Sequence, residues 1–426
     1  MYFNTKQSNA LILLCFCVYT AGYIGRLNYN ASLVEILSAF GASKAEGGLV
    51  SSFFFFAYGL GQLVNGILSK RYNPRVMLTL SLVLSSLINM TMPFMGTLAM
   101  MKWLWLVNGF SQSILWSTII KTLSQHVPDD MLSKAILVMS ATVAIGTFCA
   151  YGLSALCIAL GSWRMVFYIA AAVLFVVAAT WFVGFGMLKK RAQADSTGLL
   201  PRQNTDGAKL GSSIRQRLSL SGLFILILSG ALILSVANGF IKDGTVTWIP
   251  SILYEEFLLD KAFSIILAFF IPLLSIFGAI LASKLHKRIK GFHILIGIFY
   301  AVSLVCFILF LSVSLPNRLL LMTILIFIIN SCCMSAINNI LTSMIPLYYR
   351  EKVKSGIAAG VINTFCYVGS TLSSIILGVI ADNRGWTSVF LFLLTVSAAA
   401  VFLSLLTMIA DRAEEKRKDK EERNAG

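Results

Sequence analysis

The chain has 426 residues, of which 58% are hydrophobic and only 12% are charged. Soluble globular domains carry about twice that share of charged residues, so the composition excludes this class. The net charge of +16 would suit a nucleic-acid-binding protein, but no basic, aromatic-rich module lies outside the apolar runs. We therefore expect an integral membrane protein that has no nucleic-acid partner.

Apolar runs follow one another along the whole chain, each long enough to cross a bilayer as a helix. A basic stretch with Gly and Ser, residues 188–219, interrupts them and predicts a cytoplasmic linker. It separates two predicted bundles of six helices, residues 1–187 and 220–410, and a charged cytoplasmic tail follows at 411–426. The twelve runs are, to within several residues, 10–37, 48–69, 75–96, 98–123, 133–160, 165–187, 220–253, 262–283, 291–313, 318–346, 353–381 and 386–410. The predicted fold is an all-α membrane protein of twelve transmembrane helices in two pseudo-symmetric bundles.

The distribution of positive charge predicts the orientation in the membrane. Of the 34 lysines and arginines, two lie inside apolar runs, six lie in loops on one side, and the remaining 26 lie on the other side. Cytoplasmic loops carry the excess of Lys and Arg, so we expect both termini in the cytoplasm and the protein in the cytoplasmic (inner or plasma) membrane. The six in loops of the opposite side are Lys44, Lys102, Arg164, Lys261, Arg318 and Arg384.

Weak internal repetition supports two related halves. Asn108 and Asn330 are offset by 222 residues, and the Trp-x-x-Val-Phe stretches that begin at Trp163 and Trp386 are offset by 223. Two parallel halves related by an axis along the membrane normal are the architecture of a rocker-type transporter, with a site between the halves at mid-membrane.

The first apolar run contains Arg26, and an arginine at the centre of a spanning helix costs about 2.5–3.5 kcal/mol on insertion scales. With 3.6 residues per turn, Tyr19, Tyr23 and Arg26 form one stripe, which Asn30 continues. The planar guanidinium can hold a phosphate or carboxylate with two hydrogen bonds, so we expect Arg26 to line a binding cavity. A structural ion pair and a side chain that snorkels to the interface remain alternatives.

The seventh run places Lys242 at the corresponding position of the second half. Two unpaired cations in a cavity repel each other, and a dianion neutralises both, which favours obligatory exchange. Asp243 projects about 100° away around the helix, so it need not face the same cavity. The alternatives for it are a pair with Lys242, a pair with a cation elsewhere, or a role in carrying a proton.

Between the second and third runs, Gly66-Ile-Leu-Ser-Lys-Arg-Tyr-Asn-Pro-Arg75 resembles the short basic loop of the major facilitator superfamily. Its Asn-Pro-Arg end resembles the branch that exchanges organophosphates, including glycerol-3-phosphate and hexose phosphates, for inorganic phosphate. Further similarities are Tyr23-x-x-Arg26, Gly41-x-Ser43-Lys44, Asn108 to Trp116, Gly244-x-x-x-Trp248-x-Pro250, and Gly356-x-Ala-Ala-Gly360 with Tyr367.

The resemblance implies a set of site residues. The phosphate-binding arginines of the branch correspond to Arg26 and Lys242, and its site aromatics to Tyr19, Tyr23, Tyr58, Trp116 and Tyr367. The chain departs from the branch at four positions. The branch has a lysine where this chain has Gln62 and an acidic residue where it has Lys70. The branch has a histidine at about Thr142 and a tyrosine at Gly239. Gln62 and Asn338 are candidates for binding substrate hydroxyls, or for ordinary helix–helix hydrogen bonds. Lys70, Arg71 and Arg75 are expected either to set the topology or to form a gating loop.

The combined expectation is a monomeric secondary transporter of a small organic anion, a sugar phosphate or glycerol phosphate, exchanged for inorganic phosphate by alternating access. A proton-coupled symporter of a carboxylated metabolite and a transport-like sugar-phosphate sensor are the alternatives. No nucleophile and base pair, metal-ligand spacing or phosphate-cradling loop is present, so no enzyme activity, metal or cofactor is expected.

Overall fold

The helices account for nearly all of the structure, a computed structural model that describes residues 3–68, 73–195, 222–289, 291–348 and 355–425. Two five-residue π-helical turns, Phe310–Ser314 and Ile340–Met344, interrupt the α-helices of the second half. The α-helices are α1 (Thr5–Ala31), α2 (Leu33–Phe40), α3 (Lys44–Leu68), α4 (Pro74–Thr91), α5 (Leu98–His126), α6 (Asp129–Ala159), α7 (Trp163–Asp195), α8 (Gly222–Glu256), α9 (Lys261–Leu274), α10 (Ile276–His286), α11 (Phe292–Leu309), α12 (Leu320–Asn339), α13 (Ile345–Tyr348) and α14 (Ser355–Ala425).

Within the described ranges these helices form twelve membrane-spanning rods. The first combines α1 and α2, which meet at a break at Ser32. The eighth combines α9 and α10. The two are separate helices because Pro272, near the end of α9, has no backbone N–H to donate and interrupts the hydrogen-bond pattern. The last two rods are both in α14, which Gly385 interrupts with a φ of 73°, a left-handed conformation that glycine adopts without a steric penalty.

Among the residues that the structure describes, ten helical stretches are long and apolar enough to cross a bilayer, and the longest of these, Ala358–Ala413, contains both rods of α14. The helix α5 is not among the ten, since Asn108, Gln112 and neighbouring serines lower its hydropathy. These polar side chains are all buried inside the first bundle. The predicted twelve-helix fold is therefore confirmed, and the least hydrophobic span is one whose polar residues face protein.

The helices pack into two bundles. In the first bundle α3 packs on α5, α4 on α7, and α1 on α6 and α7. In the second, α8 packs on α14, and α12 packs on α10 and α11. The main contacts between the bundles are α3 with α14 and α6 with α9. Most of the predicted linker, from residue 196 onward, lies outside the described residues, so the proposed domain boundaries stay predictions.

The two bundles meet closely at the end opposite the chain termini. The carboxylate of Asp382 accepts hydrogen bonds at 3.0 and 2.8 Å from the backbone N–H groups of Lys44 and Ala45, so it caps the N-terminus of α3 from the other half. The ammonium of Lys44 lies 3.2 Å from the Glu255 carboxylate. These contacts join α3 of the first half to α8 and α14 of the second half.

A second charged contact lies at the same end. Lys261 Nζ at the start of α9 lies 2.9 Å from Glu35 Oε1 in α2, near the outer end of the first rod. Deeper in the interface, Ser52 Oγ donates to the carbonyl of Thr371 at 2.6 Å. In this conformation the two halves are therefore closed at the end opposite the termini.

Candidate functional site

A cavity of about 120 Å³ lies between the two bundles, and both intramembrane cations line it. Arg26 reaches it from α1 and Lys242 from α8, so one cation comes from each half, as the spacing of the repeat predicts. The other lining residues are Tyr23, Leu27, Asn30, Ser51, Phe54, Phe55, Trp105, Asp243, Val246, Thr247 and Tyr367.

Three tyrosine rings surround the guanidinium of Arg26. Its Cζ lies 3.7 Å from the ring centroid of Tyr23, 5.4 Å from that of Tyr58 and 5.7 Å from that of Tyr19. Tyr19 and Tyr23 are one turn apart on α1, and Tyr58 comes from α3, so two helices build this cage. Aromatic faces attract a cation but do not neutralise it, because a ring carries a quadrupole and no net charge.

Arg26 has no counter-ion among the residues that the structure describes. The salt bridges there involve other side chains, and no carboxylate oxygen comes within 4.0 Å of the Arg26 guanidinium. This observation argues against the structural ion pair as the role of Arg26. An uncompensated guanidinium that lines a cavity is prepared to bind an anion.

The cage predicts different effects for two substitutions of Tyr23. Tyr23→Phe keeps the aromatic face over Arg26, so we expect the apparent substrate affinity to stay within about threefold of the wild type. Tyr23→Leu removes the face, and a cation–π contact contributes about 0.5–2 kcal/mol, so we expect a loss of about 2- to 30-fold at about 1.4 kcal/mol for each tenfold. The measurement is the KM for uptake into proteoliposomes, and an equal loss in both variants would contradict a role of the ring face.

Lys242 differs from Arg26 because it has an acidic partner. Its Nζ lies 3.4 Å from Asp243 Oδ1, and the hydroxyl of Ser370 donates to Asp243 Oδ2 at 2.5 Å. The flexible lysine stem lets the ammonium reach the neighbouring carboxylate despite the offset of about 100° around the helix. The expected pair of unpaired cations is therefore corrected: among the described residues, one uncompensated cation, Arg26, and one ion pair line the cavity.

The remaining predicted aromatics support the cavity wall. The rings of Tyr19 and Trp116 are 5.0 Å apart, and those of Tyr58 and Tyr367 are 4.9 Å apart, the latter pair joining α3 to α14 across the two halves. Of these four, only Tyr367 lines the cavity itself. The other three, Tyr19, Tyr58 and Trp116, lie behind the residues that line the cavity. Tyr19 and Tyr58 contact Arg26, and Trp116 packs on Tyr19.

The predicted polar residues Gln62 and Asn338 bond to protein groups. The side-chain amide of Asn363 donates to Gln62 Oε1 across the two halves, and Asn338 Oδ1 accepts from the amide of Asn238 at 3.5 Å. Neither lines the cavity. For Gln62 and Asn338 the sequence left open a contact with substrate hydroxyls or a hydrogen bond between helices, and this conformation shows the hydrogen bond between helices.

The predicted gating loop is only partly described. Lys70 and Arg71 lie outside the described residues. Arg75 Nε donates to the carbonyl of Phe182 at 2.8 Å, and its guanidinium stacks on the Phe182 ring at 3.9 Å. This contact ties α4 to α7 within the first half, and a gating role for the loop stays a prediction.

Sequence reasoning missed the polar group that closes the cavity on the side away from the termini. Ser51 Oγ donates to Asn30 Oδ1 at 2.8 Å, and the amide of Asn30 donates to Thr247 Oγ1 in the second half at 3.4 Å. All three side chains are buried. The sequence placed Asn30 on the stripe of Tyr19, Tyr23 and Arg26 but did not indicate its partners, because nothing local marks Ser51 or Thr247.

The comparison with protein families identifies the class. The profile of the Major Facilitator Superfamily matches residues 11–370 and 322–425, which together span most of the chain. The chain belongs to the Major Facilitator Superfamily and is a membrane transporter protein of that family and not an enzyme. The resemblance in the basic loop and in the helix motifs is thereby confirmed.

Particular relatives narrow the comparison. The chain is 25% identical to the glycerol-3-phosphate transporter of Bacillus subtilis (strain 168), over 94% of this chain and 92% of that protein. It is 23% identical to a probable hexose phosphate transport protein of Chlamydia pneumoniae, over 92% of this chain and 89% of that protein. It is 31% identical to the membrane sensor protein UhpC of Escherichia coli (strain K12), but over 24% of this chain and 23% of that protein.

A solved structure shares the fold. A bacterial homolog of the human lysosomal transporter Spinster, in an inward-facing and unoccupied conformation, superposes with a TM-score of 0.72 and 13% identity over 96% of both chains. At this identity the likeness concerns the fold alone, and it agrees with the two-bundle architecture described above.

Proposed function

We propose that this protein is a secondary transporter of a small phosphorylated metabolite, a glycerol phosphate or a sugar phosphate, which it exchanges for inorganic phosphate by alternating access. The single observation that carries the proposal is the guanidinium of Arg26, which lines a cavity between the halves without a carboxylate partner among the described residues. Two relatives that match nearly the whole chain are named for phosphorylated solutes, which supports the choice of phosphate over other anions.

The geometry supports a mechanism in which the anion joins the halves. Arg26 belongs to the first half and Lys242 to the second, so one phosphate group that contacts both cations is bound by both bundles. With both termini cytoplasmic, as the charge distribution predicts, the closed end faces away from the cytoplasm. Reorientation requires the contacts of Lys44, Lys261 and Asn30 to separate.

Exchange follows from the charge of the empty site. An uncompensated guanidinium in a cavity of low dielectric is costly, and a bound anion removes that cost. The occupied carrier therefore closes around its ligand more readily than the empty carrier, so transport in one direction is coupled to transport in the other.

The test is a flux assay with purified protein in proteoliposomes. Uptake of labelled glycerol 3-phosphate or glucose 6-phosphate is expected to be fast when the vesicles contain inorganic phosphate, and at least tenfold slower when they contain an impermeant neutral solute. Fast uptake into vesicles without an internal anion would remove obligatory exchange. Uptake that a pH gradient drives without internal phosphate would instead support the proton-coupled symporter.

A second candidate function is a membrane sensor, because part of the chain is 31% identical to a protein of that name. The same experiment separates the two. Saturable binding of a phosphate ester to the purified protein, without flux under any loading condition, would favour the sensor.

A further inference from the structure

The carboxylate of Asp243 changes the charge of the cavity that the proposed function uses. Arg26 and Lys242 each contribute one positive charge, and Asp243 lines the same cavity and contributes one negative charge at 3.4 Å from the Lys242 ammonium. The fixed charge of the site is therefore +1. A site built from the two cations alone would have a charge of +2.

The ionisable groups that face the pair are two phenols, one thiol and the guanidinium of Arg26. The phenols are Tyr23 on α1 and Tyr367 on α14, and the thiol is Cys366 on α14. Neither the phenols nor the thiol is a carboxylate or an amine. Asp243 and the substrate are then the groups whose charge decides how well the occupied site is neutralised.

Asp243 is held in place by more than the lysine. Ser370 on α14 donates its hydroxyl to Oδ2, while Lys242 approaches Oδ1, so both carboxylate oxygens are engaged and the group lies against the cavity. A dianion that drew Lys242 toward itself would leave this carboxylate beside two further negative charges. The repulsion in a dry cavity is large, since charges are poorly screened there.

Resting on the proposed function, we propose that this site binds one net negative charge at a time, and that Asp243 sets this preference. A phosphate ester then binds as its monoanion. Binding of the monoanion is thermodynamically equivalent to binding of the dianion together with one proton. The substrate class is thus a monovalent organic anion, and the carrier takes the protonated form of its phosphorylated substrate.

The experiment compares a phosphate ester with its sulfate analogue. A phosphate monoester loses its second proton with a pKa of about 6, whereas a sulfate monoester of the same alcohol stays a monoanion throughout this range. Binding of glucose 6-phosphate and glucose 6-sulfate, and of the corresponding glycerol esters, is measured by calorimetry on the purified full chain at pH 5.5 and pH 7.5.

In the wild type we expect the affinity for the phosphate ester to fall about 20- to 30-fold between pH 5.5 and 7.5, in proportion to its monoanion. The affinity for the sulfate ester is expected to change by less than about twofold. In Asp243→Asn the site charge becomes +2, so the fall for the phosphate ester disappears and the phosphate binds more tightly than the sulfate at pH 7.5.

Two control variants keep the result interpretable. Asp382→Asn removes the same charge at the interface opposite the termini, outside the cavity, and is expected to retain the fall with pH. Asp243→Glu keeps the charge in the cavity and is expected to retain it as well, and this variant tests the proposal even where Asp243→Asn does not fold.

The outcomes separate this inference from the proposed function. Phosphate-ester binding in the wild type that is equal or tighter at pH 7.5 overturns the single-charge preference and leaves the transporter proposal in place. A fall that persists in Asp243→Asn overturns the role of Asp243. Failure of every phosphate and sulfate ester to bind at either pH overturns both.

Discussion

Replacement of Arg26 by alanine is expected to abolish exchange while the protein still inserts and folds. Loss of one partner of a desolvated, hydrogen-bonded charge pair costs about 2–5 kcal/mol, so the apparent affinity for a phosphate ester should fall by about 30-fold or more. Arg26→Lys should also be poor, because an ammonium cannot present two parallel N–H groups to a phosphate. The measurement is phosphate-dependent uptake into proteoliposomes, with the amount of monodisperse protein determined in parallel.

The matched control is Arg384→Ala, which removes an exposed arginine near the end opposite the termini. We expect this variant to transport at the wild-type rate. Normal transport by Arg26→Ala would contradict the assignment of the site, since no other uncompensated cation lines the cavity within the part of the chain that the structure describes.

Replacement of Gly48 by alanine is expected to prevent the halves from closing at the end opposite the termini. A Cβ atom at Gly48 would lie 2.0 Å from the carbonyl oxygen of Ser374 and 3.1 Å from the ring of Trp248, and a backbone carbonyl in a packed helix cannot move aside easily. Overpacking costs about 1–3 kcal/mol even where the surroundings relax. The closed state should therefore lose population by about 5- to 150-fold, and exchange should slow by a similar factor.

The conformational effect of Gly48→Ala can be measured separately from transport. In the closed state the ammonium groups of Lys44 and Lys261 are held in ion pairs with Glu255 and Glu35. A membrane-impermeant amine reagent applied to that face should modify both lysines faster in the variant than in the wild type.

Gly152→Ala is the control for this substitution, because a Cβ at Gly152 on α6 would meet open space. It should change neither the labelling nor the exchange rate. Unchanged labelling of Lys44 and Lys261 in Gly48→Ala would show that the α3–α14 contact does not control closure at this end.

The charge of the site shows where sequence reasoning reached its limit. The spacing of Tyr19, Tyr23 and Arg26 on one helical face was sufficient to predict an aromatic and cationic cavity wall, because helical periodicity is a local property. The pairing of Lys242 with Asp243 was one of several alternatives that the sequence left open, and the structure selects it. It depends on the rotamer of a long side chain and on Ser370, which is 127 residues away and holds the carboxylate in place.

Gln62 illustrates the same limit for polar residues. Its position in the resembled branch suggested a place in the binding site, whereas the structure bonds it to Asn363, 301 residues later. A buried amide in a membrane must find a partner, and the sequence alone does not say whether that partner is a substrate or another helix.

The amino-acid sequence by itself determined the membrane-spanning class, the twelve helices, the division into two halves and the helix that carries Arg26, because hydrophobic length and helical periodicity are written along the chain. Only the tertiary structure decided that Asn30, Ser51 and Thr247 seal one side of the cavity, and that Asp382 caps α3 from the other half. It also showed one uncompensated charge among the described residues that line the cavity. The contacts between the halves join residues far apart in the chain, 217 positions for Asn30 with Thr247 and 338 for Lys44 with Asp382, and no local pattern encodes such a contact.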